Sequence, residues 1–263
     1  MPAETLLAHA LAIGLLTSAF VGLLMFLLAR LGPRASGFGA ALQLFSVPVL
    51  LLLSLEQDGS FAASAAEASL WVTTLVALAV QAYGWVSLRL RTSLAVLLAA
   101  LLTLLCAALS AGWARLPAVT LALTALLAAA PLPRPLSTST ARPDPHRIEL
   151  WLAIGFAGAT AALVDWLGPR AGPAWSGVIP ALPIVGLCGL WASHARGGVL
   201  TQNSFLRGYM DGMFAKAAFL AVAALALRAG FGVSALAFAL VAGVLAMFLQ
   251  NGLRRRRIGY ASG

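Results

Sequence analysis

Long apolar runs separated by short polar segments dominate the chain. A helix that crosses about 30 Å of hydrocarbon needs about 20 predominantly apolar residues. The pattern therefore predicts nine transmembrane helices, at 5–30, 37–55, 66–88, 93–112, 115–132, 149–167, 174–194, 204–227 and 230–252. The expected fold class is an all-α polytopic membrane protein.

The composition agrees with this prediction. Hydrophobic residues make up 61% of the 263 positions and charged residues only 10%. The mean hydropathy is +0.95. A soluble protein of this composition would lack the polar residues to cover its core. The first apolar run, of about 25 residues, is too long for the apolar region of a signal peptide, so we expect it to remain as the first helix.

The distribution of the basic residues predicts a membrane topology. The chain carries 17 of them, all arginines except Lys216, and a net charge of +9. With nine helices, twelve arginines fall on the side of the C-terminus and three on the other. The positive-inside rule then places the N-terminus outside and the C-terminus in the cytoplasm. The arginine excess suits GC-rich coding and hence a bacterial inner membrane. The expected partner of this charge is membrane lipid, not nucleic acid.

An internal repeat relates the two halves. "RLGPRAS" (30–36) returns as "WLGPRAG" (166–172). After a one-residue gap the difference in numbering becomes 135, which aligns Pro48 with Pro183 and Gln81 with Lys216. Five helices precede the second copy, so it would enter the membrane from the opposite face. Inverted repeats of this kind are common in secondary transporters, whose sites lie near the midplane at broken helices. Pro48 and Pro183 would supply such breaks, or would only kink helices for packing.

The repeat predicts a division of the chain. The segments are a first four-helix repeat (1–112), a connecting helix (113–132), a cytoplasmic linker (133–148), a second, inverted four-helix repeat (149–257) and a tail (258–263).

Each half also resembles a known family. "LQLFSVPVLLLLSLEQDGS" with "ASLWVTTLVALAVQAYGWV", and "VIPALPIVGLCGLWASHARGG" with "SFLRGYMDGMFAKAAFLAV", each combine a Pro-bearing helix, a polar turn and a helix that opens on Ser or Ala. This pattern is similar to the small four-helix bacterial membrane proteins of the GlpM-like type. The resemblance implies a fused duplication and a link to envelope or exopolysaccharide production.

The eighth predicted helix carries three ionisable residues. Arg207 can snorkel to the interface, and Asp211, four residues on, can pair with it on the same face. Asp211 could alternatively bind a proton or a cation. Lys216 lies about 18 Å deep at 1.5 Å per residue. A charge at the bilayer centre costs at least about 2.5–3.5 kcal/mol, so such residues usually face protein or water and carry function.

Small residues lie on the same face of the eighth predicted helix as Lys216. Gly208 and Gly212 precede it at intervals of four, and small residues at this spacing let another helix approach closely. The equivalent positions of the first half are Thr73, Ala77 and Gln81. We expect these packing stripes to meet and to bring Gln81 and Lys216 to a common substrate site, with Asp211 and Gln43 as further members. Alternatively, Lys216 forms an ion pair with Asp165 or Asp211.

These features favour a secondary transporter or flippase for a small anionic or zwitterionic solute, with proton coupling left open. The alternative is a non-transporting membrane subunit or assembly factor in envelope biogenesis. Enzymatic activity is not expected, because no cluster of nucleophile, base and oxyanion donor is present in the sequence. No metal site or other cofactor is expected either, and association of several copies is left open.

Overall fold

The computed structural model describes residues 11–19, 30–42, 46–86, 117–130 and 170–261, with isolated positions between these ranges. All regular structure in this part of the chain is helical, which confirms the predicted all-α class for it. The helices are α1 (Pro33–Leu42), α2 (Ser46–Glu56), α3 (Gly59–Val86), α4 (Pro117–Ala129), α5 (Pro173–Ala181), α6 (Ile184–Arg228) and α7 (Ser234–Ala261). Residues 11–19 are helical as well. Half of the first predicted helix, most of the fourth and sixth, and the linker 133–148 lie outside the described residues.

Three helical stretches in the described residues are long and apolar enough to cross a membrane. They are Pro33–Glu56, Gly59–Tyr83 and Leu200–Arg228. Two shorter apolar helices, Pro117–Ala129 and Ser234–Gln250, accompany them. These helices indicate a membrane protein.

The helices α1 and α5 begin with the same local structure. A glycine with positive φ precedes each of them, Gly32 at 106° and Gly172 at 84°. A proline follows as the first helical residue, where its missing N–H costs nothing. The serine four residues after each glycine donates its hydroxyl to the glycine carbonyl, over 3.2 Å from Ser36 and 3.0 Å from Ser176. The shared sequence is G-P-x-x-S, at 32–36 and 172–176.

The 45-residue helix α6 is sharply bent, so that its first part packs against its second part. A straight helix of this length would span about 68 Å. Yet Gly186 lies against the ring of Tyr209, and Gly189 against the ring of Phe205. In a straight helix the first pair would be about 34 Å apart. The chain therefore reverses direction between Gly189 and Phe205. We call residues 184–190 the first arm and Leu200–Arg228 the second arm.

A central pair of helices organises the packing. The helix α3 contacts α4, α5 and α6, and α6 also contacts α1 and α7. The second arm runs antiparallel to α3, since Gly59, at the start of α3, lies near Leu227. Leu70 of α3 and Leu220 of the second arm are completely buried in the shared core.

Two close helix contacts join residues whose numbers differ by 140. A Cβ atom on Gly37 of α1 would overlap the carbonyl oxygen of Phe205, in the second arm. Likewise, a Cβ on Gly177 of α5 would overlap the carbonyl oxygen of Ala65, in α3. Adding 140 to 37 and 65 gives 177 and 205, so the same difference in numbering relates the two contacts.

The contact between residues 11–22 and 154–162 has the same property. A Cβ on Gly14 would lie 3.2 Å from the Cβ of Ala162, and one on Gly22 would lie 2.7 Å from the side chain of Ile154. Adding 140 to 14 and 22 gives 154 and 162, so each contact maps onto the other. Because the numbers rise in one segment as they fall in its partner, the two segments are antiparallel.

Candidate functional site

Lys216 lies in the second arm of α6 and is 2% exposed. Two ion pairs lie on either side of it along the same arm, at Asp211 and at Arg228. These two residues are separated by about 25 Å along the helix axis, at 1.5 Å per residue. The only lysine of the chain is therefore held between two charged contacts, inside the protein.

The first ion pair joins α1 to α6. An Nη atom of Arg34 donates to an oxygen of the Asp211 carboxylate over 2.9 Å. Asp211 is 7% exposed, whereas the side chain of Arg34 is 47% exposed. The sequence suggested Arg207 as the partner of Asp211. The arginine of the G-P-R start of α1 also reaches this carboxylate, because α1 packs directly on the second arm.

The second ion pair joins α3 to α6. Arg228 holds Glu67 with two nitrogens, Nε at 2.7 Å and Nη2 at 2.8 Å from the two carboxylate oxygens. Such a two-pronged contact fixes orientation as well as charge. Glu67 is 7% exposed and lies in the first turn of the third predicted transmembrane helix, 66–88. Sequence analysis identified no partner for either residue.

Gln81 faces α4. Its Nε2 donates to the carbonyl of Leu127 over 2.8 Å and more weakly to that of Ala130 over 3.4 Å. These carbonyls belong to the last turn of α4 and its end, where the regular helical hydrogen bonds run out; the Leu127 carbonyl also accepts from the Ala130 N–H over 3.3 Å. Two turns earlier, the hydroxyls of Thr74 and Thr124 lie 2.7 Å apart. The polar side of α3 thus attaches the connecting helix.

The glycine stripe of the second arm is occupied by α1. A Cβ on Gly208 would overlap the carbonyl oxygen of Arg34, and one on Gly212 would overlap that of Phe38. Thr73 and Ala77, the corresponding small residues of α3, are both fully buried. The helix that approaches the glycines most closely is therefore α1, which lies parallel to the second arm.

The helix breaks differ between the halves. Pro183 separates α5 from α6, and the preceding Leu182 is extended, with φ −61° and ψ 136°. Pro48 is the third residue of α2, in the first turn, where proline is tolerated. Gln43 and Asp165 lie outside the described residues.

A small, partly open cavity of about 20 Å³ lies beside the break at Pro183. Its walls come from α3, both arms of α6 and Thr103. The lining residues are Val76, Ala79, Val80, Tyr83, Thr103, Pro183, Gly186, Leu187, Leu190, Phe205, Leu206 and Tyr209. None of them carries a charge, and neither Gln81 nor Lys216 is among them.

Two tyrosines, Tyr83 and Tyr209, are among the residues around this cavity. The hydroxyl of Tyr83 accepts a hydrogen bond from Nε2 of Gln202, and both residues are buried. Tyr209 is 2% exposed, and its hydroxyl makes no hydrogen bond to the described residues. Sequence analysis missed both tyrosines. The signal was present, because Gln202, Tyr209 and Lys216 recur every seven residues and so share one helix face.

The described residues contain no group of three or more His, Cys, Asp or Glu side chains that could hold a metal ion. Comparison of the chain with protein-family models, curated proteins and solved structures finds no match.

Proposed function

We propose that the protein is a secondary transporter or flippase of the bacterial inner membrane, built from two inverted four-helix repeats around a site for a small anionic or zwitterionic solute. One observation carries this proposal, namely that helix contacts recur in the two halves with residue numbers that differ by 140. Secondary transporters are commonly built this way and alternate by moving one repeat against the other.

The directions of the helices support the inversion. Two copies related by an axis in the membrane plane run in opposite directions, as the segments 11–22 and 154–162 do. In addition, α1 of the first half packs on α6 of the second, and α5 of the second packs on α3 of the first. Five transmembrane helices before the second copy would produce this inversion, with the N-terminus outside and the C-terminus in the cytoplasm.

The difference of 140 changes which residues correspond. In this register Lys216 corresponds to Val76 and Gln81 to Ala221. The LGPRA match followed by a one-residue gap gave 135 instead, which paired Gln81 with Lys216. The reason is that the G-P-x-x-S helix start, at 32 and 172, is the repeated structural unit. Gln81 is then best interpreted as the residue that caps α4.

The same register assigns neighbours to Lys216. Val76 corresponds to Lys216, and Gly186 corresponds to Ser46. Because Val76 and Gly186 both line the cavity, we expect Lys216 and Ser46 to lie close together as well. The hydroxyl of Ser46 is buried and makes no hydrogen bond to the described residues. Gln43 corresponds to Pro183, at the helix break. We therefore assign the solute site to Lys216, Ser46 and Gln43. The ammonium group would bind the anionic part of the solute, and the serine hydroxyl would donate to it.

The two ion pairs fit a transport cycle. Arg34 with Asp211, near the middle of the second arm, and Glu67 with Arg228, at its end, each connect one half of the chain to the other. Breaking one pair while keeping the other would open the site to one side of the membrane at a time. In this proposal, the arrangement with both pairs formed is assigned to an occluded state.

Transport by purified protein in liposomes tests the proposal. The solutes are a panel of carboxylates, phosphate esters and zwitterionic amino acids, and the variants are Lys216→Gln, Lys216→Met and Lys216→Arg. We expect loss of uptake in the two uncharged variants and partial retention in Lys216→Arg. Ser234→Ala, at the exposed start of α7, is the matched control. Uptake by folded Lys216→Gln at the unaltered rate would contradict the assignment of the site.

A second candidate is a non-transporting membrane subunit for envelope assembly. The observation that favours it is the close packing around the second arm, where Gly208 and Gly212 leave no gap to α1. The GlpM-like resemblance points the same way. In this case no solute of the panel would enter above the level of empty liposomes. Deletion of the gene would instead reduce surface polysaccharide, and Lys216→Met would restore it.

A further inference from the structure

An exposed triplet of side chains lies at the end of the first apolar run. It consists of Leu23, Phe26 and Arg30, whose spacings of three and four residues place them on one face of a helix. Leu23 is 62% exposed, Phe26 is 37% exposed, and Arg30 is exposed as well. The guanidinium carbon of Arg30 lies 4.3 Å from the centre of the Phe26 ring, within the range of a cation–π contact. This first triplet passes from an aliphatic to an aromatic to a charged side chain over about 10 Å, at 1.5 Å per residue.

A second triplet has residue numbers that are 140 higher. It consists of Leu163, Trp166 and Arg170, all of which are exposed. The guanidinium carbon of Arg170 lies 5.4 Å from the centre of the Trp166 ring, and the Arg170 Nη1 donates to the Trp166 carbonyl over 2.6 Å. Two residues after each arginine comes a glycine with positive φ, Gly32 or Gly172. Each triplet therefore ends just before a turn interrupts its apolar helix.

The order of side chains within a triplet matches the order of chemical groups along a phospholipid. Leucine contacts acyl chains, and aromatic rings concentrate where the hydrocarbon meets the headgroups. A guanidinium binds phosphate through two parallel N–H donors. Stacking on a ring uses the face of the guanidinium and leaves the N–H donors at its edge directed away from the ring. The Trp166 carbonyl takes one of the five donors of Arg170, so the others can reach a phosphate beside the helix.

We infer that each triplet binds one anionic phospholipid of the surrounding membrane. The phosphate lies on the arginine, and an acyl chain lies along the ring and the leucine. A zwitterionic headgroup binds less well, because its own ammonium group compensates the charge of the phosphate. The binding does not involve Lys216 or either ion pair, so it is independent of solute transport. Only one element rests on the proposed function, namely that the inverted repeat places the two triplets in opposite leaflets.

Quenching of Trp166 fluorescence by phospholipid with brominated acyl chains tests the second triplet, in the full-length protein in liposomes. The quenchers are phosphatidylglycerol, which is anionic, and phosphatidylcholine, which is zwitterionic, at the same mole fraction. Trp166→Phe separates the signal of this residue from that of the other tryptophans. We expect phosphatidylglycerol to bind about 5-fold more tightly beside Trp166, the equivalent of about 1 kcal/mol for one arginine at the membrane surface. Arg170→Gln should abolish this preference. Arg256→Gln, which removes the same charge from α7, is the control and should leave the preference unchanged.

Phe26→Trp, combined with Trp166→Phe, places the same reporter in the first triplet and keeps an aromatic ring beside Arg30. Here Arg30→Gln should abolish the preference for phosphatidylglycerol, and Arg256→Gln should not. Equal quenching by the two lipids at either reporter would overturn the proposal for that triplet. An equal loss of preference in Arg256→Gln would also overturn it, because the preference would then reflect only the general surface charge. If excess soluble glycerol phosphate cancels the preference, the ligand is a free phosphate and the assignment to membrane lipid is wrong.

Discussion

Replacing Gly37 or Gly177 with alanine tests the correspondence between the two halves most directly. Each glycine is the fifth residue of its helix, and each faces a backbone carbonyl of a partner helix, Phe205 or Ala65. A methyl group at either position would occupy the space of that oxygen. A backbone atom cannot rotate away as a side chain can, so the two helices must move apart.

The expected magnitude follows from two opposing terms. Overpacking costs about 1–3 kcal/mol, and overlap with a backbone atom belongs at the upper end of that range. Alanine returns about 1 kcal/mol, since it is a better helix former than glycine. The net expectation is a loss of about 2 kcal/mol for each variant. The proposed repeat makes the two contacts equivalent, so it predicts that the two losses are alike.

Equilibrium unfolding in mixed detergent micelles measures these losses, with the fluorescence of the seven tryptophans as the signal. Gly155→Ala is the matched control, since Gly155 is helical and a Cβ there would meet nothing within 4 Å. We expect it to be neutral or to stabilise by up to about 1 kcal/mol. A neutral effect at both Gly37 and Gly177 would refute the close approach. A large loss at only one of them would refute the equivalence of the halves.

Two further predictions concern charge. Arg228→Gln should destabilise the protein more than Glu67→Gln does. Loss of the arginine leaves the buried Glu67 carboxylate unpaired, whereas Arg228 is half exposed and can turn to solvent when Glu67 is replaced. A double-mutant cycle in the same unfolding assay measures both losses, and equal losses would contradict this prediction. Asp58 caps α3 by accepting hydrogen bonds from the Ser60 hydroxyl and the Phe61 N–H, and these bonds hold its pKa below the ordinary 3.8. Its contribution is therefore complete above pH 3.8 and is lost as the pH falls through the lower folded-state pKa. Asp58→Asn should flatten the unfolding profile in that acid range, and an unaltered profile would count against the cap.

Some features of the candidate site could be predicted from the sequence. It singled out Lys216 as a deep, buried residue, and Gly208 and Gly212 as a surface for close helix approach. It could not identify α1 as the approaching helix, because a stripe of small residues does not specify its partner. The ion pairs of Arg34 with Asp211 and Glu67 with Arg228 join residues more than 150 positions apart. No local spacing rule covers such distances along the chain.

The sequence by itself determined the all-helical class and the presence of apolar helices of membrane-spanning length. Both follow from the free energy of burying backbone and side chains in hydrocarbon, which depends on composition within a window of about 20 residues. Only the tertiary structure decided that α6 folds back between Gly189 and Phe205, that its arms enclose a cavity with Tyr209, and that contacts recur at a difference of 140. These features depend on which helix backbones can approach each other closely. Close approach requires two complementary helix surfaces, and the sequence of one helix does not specify its partner.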